Sequence, residues 1–269
     1  MYISQEVSDV APNFRQPPFN FEGCFKEVPA GDDYFKMVVV NAFSIPLPSG
    51  EKFFIDSLKH SIKKINNDML AKQVKIFVRQ EALHRKSHIE YNKILSNERG
   101  YSLEKLESLY LLNSEYVRKN YDEKYCLALT VCLEHLTASA AEAYFNNLHW
   151  LNECNPEIIN FWKWHAIEEL DHSAVAFDVY NELYNDKPYL NKVMGEVYRK
   201  FAAFLEKTIL TMVIMDGKSV TDMKKWILES SFMNGESGVV PYFETLLNKF
   251  YQDDFHPSTH ISKQSLTHK

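Results

Sequence analysis

The sequence predicts an all-α helical bundle, and three observations support this fold class. Proline and glycine are concentrated in the first 50 residues and only scattered afterwards. From residue 51 onward, apolar residues recur at helical spacing over segments of up to about 30 residues. Strand-like alternation is almost absent from the same region. Long helices with short connections are typical of a bundle.

The first 50 residues are predicted to form an irregular arm. They contain Pro17, Pro18, Pro29 and Pro46, which interrupt regular structure. Within this arm, the segment FKMVVVNAF at residues 35–43 is a candidate for a short strand or an extended segment.

The helical part is predicted to span residues 51–252 as one domain. Ser49 and Ser102 are candidate N-caps, and Pro156 stands at a helix-opening position. Asn185 and Pro188 mark a break. The predicted helices are 51–66, 69–97, 102–119, 123–152, 156–185 and 190–215, followed by two shorter ones before residue 250. The polar tail at residues 253–269 is expected to be flexible.

Composition and charge argue against several classes of protein. The net charge of −6 and the pI near 5.9 argue against a nucleic-acid-binding surface. Glu206 and Lys207 interrupt the apolar stretch at residues 201–215, which favours a packed helix over a membrane span or a loose membrane association. The four cysteines form no CxxC pair, and no secretory signal is recognisable, so we expect a cytoplasmic protein with reduced thiols.

Two Glu-x-x-His motifs carry the strongest chemical signal. Glu81 with His84 and Glu169 with His172 each place two metal-binding side chains one turn apart on one helical face. About one such motif is expected by chance, so their placement matters more than their number. Both lie in otherwise apolar stripes that should face the core, where a carboxylate is costly unless it is paired or binds metal. The motifs therefore predict a two-metal site.

A bundle with such a site needs one carboxylate from each of two further helices. Glu134 lies in the apolar run LALTVCLEHLTASAAEAYF, with Glu142 as the fallback two turns later. Glu51 is the candidate on the remaining helix. An acidic residue in a first turn also stabilises the helix dipole without any metal, so this alternative stays open for Glu51.

His165 adds a third donor to the second motif, since it lies four residues before Glu169. Its alternative role is that of a core histidine bonded to Glu168 or to backbone. We expect His88 to support a ligand, with direct metal binding as the alternative, and Glu168 to accept a hydrogen bond from an imidazole of a neighbouring helix. The predicted ligands are Glu51, Glu81, His84, Glu134, His165, Glu169 and His172.

The donor types indicate the metal. Four carboxylates and several imidazoles without a thiolate favour iron first and manganese second, with zinc as a further alternative. The sequence thus predicts two iron ions as the cofactor.

Several segments resemble a known family. PSGEKFF, QEALHRKSH, ALTVCLEHLTA and WHAIEELDHSAVAFDVY are similar to the bacterial proteins described as predicted metal-dependent hydrolases, over about residues 33–215. The ligand order resembles, more distantly, ferritin-like di-iron proteins such as the ribonucleotide reductase small subunit and the bacterial multicomponent monooxygenases. The extra histidine, His165, is similar to that of the p-aminobenzoate N-oxygenase group.

The resemblance implies a ferritin-like four-helix core with additional C-terminal helices. One departure concerns Glu51, because ferritin-like ligands usually lie in the middle of a helix and Glu51 stands at a predicted helix start.

Three functions follow as hypotheses. The first is a di-iron oxidase or oxygenase that uses dioxygen and an electron donor to oxidise a small organic molecule. The alternative is a hydrolase with a metal-activated water, and the second alternative is a non-catalytic iron-binding bundle. Phe77, Phe145, Phe161 and Phe177 are candidates for an apolar lining around an aromatic or aliphatic substrate. A homodimer is compatible with the sequence, and no nucleic-acid or membrane partner is expected.

Overall fold

The computed structural model describes residues 18–29, 31–151, 154–236 and 238–260. Within these ranges every regular element is helical, which confirms the predicted all-α bundle. The helices are α1 Gly31–Ser44, α2 Leu47–Ser61, α3 Asp68–Arg99, α4 Leu103–Asn120, α5 Glu123–Asn146, α6 Pro156–His172, α7 Val175–Leu183, α8 Lys187–Met215, α9 Val220–Glu229, α10 Ser231–Asn234, α11 Val239–Phe250 and α12 Pro257–His260. Short 3₁₀ turns lie at Ile62–Lys64 and Leu148–Leu151.

Helix α1 corrects the prediction of a strand or extended segment at residues 35–43. Phe35, Val38, Val39 and Ala42 are all buried, and their spacing is that of one face of a helix. The run of valines suggested a strand, but packing of this face against α8 and α3 outweighs their β propensity. Among the described residues, the irregular part of the arm is confined to positions before Gly31.

Helix α2 begins at Leu47, four residues before the predicted start. The expected N-cap at Ser49 is therefore wrong, because Ser49 lies inside the first turn and its hydroxyl is 2.8 Å from that of Ser114. Pro48 is accommodated because the first turn of a helix leaves its N–H groups unpaired. The earlier start moves Glu51 into the body of the helix, so Glu51 no longer departs from the ferritin-like pattern.

The starts of the later helices lie within three residues of the predicted ones, but several extents differ. Helices α2 and α5 end earlier than predicted, and three shorter helices, not two, follow α8 up to residue 250 in the described chain. Ser102 caps α4 by accepting from the backbone N–H of Lys105, and Pro156 opens α6. The predicted helix 156–185 is interrupted, because α6 ends at His172 and α7 starts at Val175. At the interruption the Ser173 hydroxyl donates to the carbonyl of Leu170, a side-chain bond that competes with helical pairing.

The functional side chains lie in a polar layer between two apolar clusters. Helices α2, α3, α5 and α6 pack against one another as the central bundle, and α7 and α8 flank it. Along α3, Phe77 belongs to one cluster and Tyr91 to the other, with Glu81 and His84 between them. The clusters therefore close the layer from both ends of the bundle.

Additional C-terminal helices follow the bundle, as predicted, and the first residues of the tail contact it. Phe255 is buried against Phe177 and Phe250, and His256 Nε2 lies 2.8 Å from a carboxylate oxygen of Asp178. Phe255 and His256 thus pack on the bundle, whereas residues 261–269 lie outside the described chain; the flexibility of the tail stays a prediction of the sequence. Burial of the apolar side chain of Phe255 holds this segment against the bundle although most residues around it are polar.

The apolar stretch at residues 201–215 forms the end of α8, a packed helix in which Ile209, Met212 and Val213 are buried. In the described part of the chain, no helix has the length and apolarity needed to cross a bilayer. No disulfide joins the four cysteines, all of which are described.

The packing of Phe255 yields a stability prediction. Phe255→Ala should lower the free energy of unfolding by about 3 kcal/mol, because truncating a buried aromatic removes apolar contact and leaves a cavity. Leu228→Ala, at a side chain that is 78% exposed, is the control and should change it by less than about 0.5 kcal/mol. Urea unfolding followed by circular dichroism measures both. Equal stability of the two variants would mean that the tail is frayed in solution.

Candidate metal centre

Four helices supply the candidate metal-binding side chains. Helix α2 contributes Glu51 and α5 contributes Glu134, both about 1% exposed. Helices α3 and α6 contribute the two Glu-x-x-His motifs, each with an additional histidine on the same face. All seven predicted ligands lie together in the buried layer: Glu51, Glu81, His84, Glu134, His165, Glu169 and His172.

One set of donors converges on His172. Its Nε2 lies 3.1 Å from Oε1 of Glu81, 3.6 Å from Oε2 of Glu134 and 3.6 Å from Oε2 of Glu169. These three carboxylates come from three different helices. Glu81, Glu169 and His172 each offer an atom within 4.8 Å of the others, which is close enough to share one ion.

A second set of donors surrounds His84. Its Nδ1 lies 3.5 Å from Oε1 of Glu81 and 3.3 Å from Oε1 of Glu169. Nε2 of His165 lies 3.2 Å from the same oxygen of Glu169, and Glu51 groups with Glu81 and His84. Glu81 and Glu169 belong to both sets. Two carboxylates shared between two sets of donors are what a dinuclear centre requires.

The unpaired atoms in the layer fit bound cations. Both carboxylate oxygens of Glu51, Glu81 and Glu134 are buried without a hydrogen-bond partner among the described residues, and so are His84 Nδ1 and His172 Nε2. Several of these atoms are close to one another but not aligned for hydrogen bonding, as expected of side chains that point at a common centre. Buried polar atoms without partners are costly, and a cation between them removes that cost.

The pKa values of the buried glutamates depend on which of them face histidines. Burial raises the pKa of Glu51 and of Glu134 well above the ordinary value, and the neighbouring Glu81 carboxylate adds to the rise. Burial acts in the same direction on Glu169, but the imidazoles around it, His172 foremost, more than offset this and hold its pKa well below the ordinary value. Metal binding must therefore displace protons from the layer.

Glu168 lies where the sequence analysis expects it. Its Oε2 is 2.9 Å from Nε2 of His84 on the neighbouring helix, and the imidazole donates to the carboxylate. Burial alone would lower the pKa of His84, but the hydrogen bond to Glu168 and the nearby carboxylates of Glu169 and Glu81 raise it well above the ordinary value. Because the Glu168 contact holds a proton on Nε2, Nδ1 is the nitrogen available to a metal ion.

His165 is oriented by a chain of hydrogen bonds that begins on α1. The Ser44 hydroxyl donates to Oδ1 of Asn92 over 2.7 Å, so it accepts from Nδ1–H of His88 over 2.8 Å. Nε2 of His88 is then unprotonated and accepts from Nδ1–H of His165 over 3.0 Å. This leaves Nε2 of His165, which faces Glu169, as the nitrogen with a free lone pair.

His88 therefore takes the supporting position that the sequence indicates. Burial, followed by the imidazoles of His165 and His84, lowers the pKa of His88 well below the ordinary value, which agrees with a neutral ring. Nε2 of His88 is also 3.8 Å from Oε1 of Glu51, so a grouping of these two residues with His165 is a geometric alternative. The hydrogen bond between the two imidazoles favours the supporting role.

Sequence reasoning missed three polar side chains of the layer. Gln80 lies with its Oε1 3.4 Å from Nδ1 of His172, while Ser44 and Asn92 hold His88. Asn92 follows His88 by four residues, a spacing that could have indicated it. Ser44 carried no signal, because it lies in the segment that was expected to be irregular. Neither Glu134 nor its fallback Glu142 belongs to a described group of three donors within 4.8 Å of one another, and Glu134 is placed in the layer by its distance of 3.6 Å to His172.

An apolar cavity of about 460 Å³ meets the layer at His165. It lies between α1, α5, α6, α8 and the C-terminal helices, and Thr137 and Trp162 border it near His165. The predicted lining is wrong, because Phe77, Phe145, Phe161 and Phe177 are not among the residues around it. These four phenylalanines pack between helices instead.

Comparison with known proteins gives one match. The family model described as "Predicted metal-dependent hydrolase" matches residues 13–260, which is most of the chain. No curated protein matches, and no solved structure matches.

The hydrogen-bond chain predicts an effect of α1 on metal binding. Ser44→Ala should weaken the affinity for divalent metal about tenfold, because His88 loses the partner that fixes its tautomer and with it the orientation of His165. Ser61→Ala, which removes a buried hydroxyl that donates to the carbonyl of Ser57 at the end of α2, should leave the affinity unchanged. Competition with a chromophoric chelator measures both. Equal metal affinities of the two variants would show that the hydrogen-bond chain does not orient a ligand.

The raised pKa of Glu134 predicts opposite effects on stability and metal binding. A carboxyl whose folded pKa is raised loses stability as the pH rises from its ordinary value, 4.5, through the folded value. Glu134→Gln cannot ionise, so the metal-free variant should be more stable than the metal-free wild type at mildly alkaline pH. The difference should vanish below about pH 4. Metal affinity should fall at least about tenfold.

Chemical unfolding of chelator-treated protein at several pH values measures this difference. Glu229→Gln, at an exposed side chain, is the control and should follow the wild type at every pH. A variant that is less stable than the wild type at alkaline pH would mean that Glu134 is ionised and paired in the metal-free protein.

Proposed function

Because the chain belongs to the family of predicted metal-dependent hydrolases, we propose that it is an enzyme that hydrolyses a small organic molecule with a metal-activated water. The family match over residues 13–260 carries this proposal. The buried layer supports it, since its donors can hold cations and an apolar cavity reaches it.

The leading hypothesis from the sequence, a di-iron oxidase or oxygenase, is corrected by the family match, and its dioxygen and electron-donor partners fall with it. The predicted metal ligands favoured the wrong reaction for a physical reason. Carboxylates and imidazoles around two cations serve water activation as well as oxygen activation, so ligand composition does not separate the two. The non-catalytic bundle is also disfavoured, because the family is described by an enzymatic activity.

We propose two metal ions. One would be held by Glu81, Glu134, Glu169 and His172, and the other by Glu51, Glu81, His84, His165 and Glu169. Bound ions would act as Lewis acids that polarise a substrate carbonyl and lower the pKa of a water molecule. The carboxylate-rich donor set without thiolates favours iron or manganese, with zinc as the third candidate.

The carboxylates of Glu51 and Glu134 are the candidates for moving protons. Neither oxygen of either group has a hydrogen-bond partner among the described residues, so one oxygen can bind an ion while the other accepts a proton from water. Glu134 lies one turn before Thr137, and Glu51 lies within reach of His165; both Thr137 and His165 line the cavity. We propose that one of these two carboxylates is the general base.

The surroundings of the layer exclude bulk water from the reaction. Phe77 and Tyr91, one turn or more to either side of the layer on α3, are both fully buried. Electrostatic interactions within such a dry site are stronger than in water. Substrate would reach the layer through the cavity at His165. A cytoplasmic location and a homodimer stay predictions of the sequence.

Metal content and anaerobic hydrolysis test this function together. We expect close to two metal ions per chain by plasma mass spectrometry, and hydrolysis of a p-nitrophenyl ester that does not depend on oxygen. Glu169→Ala removes a carboxylate shared by both donor sets, so it should lose the metal and lower the rate at least about a hundredfold.

Glu229→Ala, at an exposed position, is the control and should retain both metal and rate. Metal-loaded protein that hydrolyses no ester, amide or phosphoester would contradict the hydrolase. Hydrolysis that survives the loss of metal in Glu169→Ala would contradict the role of the centre.

A further inference from the structure

The cavity that meets His165 has the size and lining of a ligand site. Its volume of about 460 Å³ falls within the range of about 300–1,000 Å³ that is common for small-molecule pockets. Its walls are almost entirely aliphatic and aromatic, and they come from helices at both ends of the chain. Phe35, Val39, Phe201, Leu205 and Phe243 are representative lining residues.

The few polar groups are distributed unevenly along the cavity. His165, at the inner end, is buried and belongs to the metal-binding layer. Thr137 also borders this end, but its hydroxyl donates to the carbonyl of Glu134. Glu206 is exposed on α8 and is the only carboxylate among the described lining residues. The described wall contains no lysine or arginine, and its further polar groups are the scattered hydroxyl and indole N–H groups of Tyr144, Tyr198, Trp150 and Trp162.

The distribution of polar groups along the cavity indicates which kinds of ligand it can bind. A phosphate or sulfate ester carries negative charge and is usually held by arginine, lysine or a series of N–H donors, which these walls do not supply. An ionised group in the apolar part would lose its hydration without a partner. Transfer of an uncharged apolar chain from water into the cavity is favourable by a free energy of about 0.8 kcal/mol per methylene.

We propose that the cavity binds the acyl chain of an uncharged carboxylic ester, with the ester group at His165 beside the metal-binding layer; this rests on the hydrolase function proposed above. Hydrolysis breaks the bond between the acyl carbon and the alkoxy oxygen. The oxygen of water forms the new bond to that carbon, and the departing alkoxy group takes up a proton. The products are a carboxylic acid and an alcohol, and no oxidant or reductant is needed.

A chain-length series tests the proposal. With p-nitrophenyl acetate, butyrate and octanoate as substrates, each added methylene should raise kcat/KM about three- to fourfold as long as the cavity has room. A rate that is flat or falls from acetate to octanoate would overturn the proposal.

Two alanines on α8 provide matched variants. Ala202 lines the cavity and Ala203, its neighbour, does not, while both are exposed and tolerate a large side chain. Ala202→Trp should lower kcat/KM for octanoate at least about tenfold more than it lowers kcat/KM for acetate. Ala203→Trp should behave as the wild type with both esters. Equal octanoate rates in the two variants would overturn the assignment of the cavity.

A binding measurement separates the cavity from the chemistry. Methyl nonyl ketone resembles an ester but cannot be hydrolysed, and Trp150 and Trp162 in the cavity wall report its binding by their fluorescence. Saturable binding to the wild type and Ala203→Trp, weakened in Ala202→Trp, supports the site. Such binding without turnover of any ester would disprove the hydrolase function and leave the apolar chain site standing. Absence of saturable binding would overturn the cavity proposal whatever the esters do.

Discussion

The charge of four buried glutamates is the constraint on which the rest of this structure depends. Each ionised carboxylate taken out of water costs several kcal/mol unless it is paired. A whole domain is stable by only about 5–15 kcal/mol, so four unpaired carboxylates cannot stay ionised in the core. The imidazoles around Glu169 hold its pKa low, whereas burial raises the pKa of Glu51 and of Glu134, so these two carboxyls favour a proton when no cation is bound. Protons and metal ions thus compete for one layer.

The fold orients the donor imidazoles of His84 and His165 by giving each ring a hydrogen-bond partner outside the donor sets. Glu168 fixes the ring of His84, and the chain from Ser44 through His88 fixes that of His165. Aromatic packing on both sides leaves little room for the rings to turn, since His84 packs against Trp164 and His88 against Phe161. The donors are therefore positioned before any ion arrives, which lowers the entropy that binding must remove.

The site could be predicted from the sequence to the extent that its signals are local. Two residues three apart on a helix lie on one face regardless of tertiary structure, so Glu81 and His84 could be paired without coordinates. The valine run of α1 misled because long-range packing decides whether such a segment forms a helix or a strand. Ser44 and Asn92 belong to different helices, and no spacing along the chain relates them. The function was the property hardest to predict from the sequence, because oxygen-activating and water-activating centres share their donor types.

Helix α1, which was missed in the sequence, connects the two parts of the site. Phe35 and Val39 form part of the cavity wall, and Ser44 at the end of the same helix starts the hydrogen-bond chain to His165. A ligand that fills the cavity packs against the helix that also orients the imidazole at the cavity's inner end. A displacement of α1 would therefore change both the cavity wall and the start of the hydrogen-bond chain that orients His165.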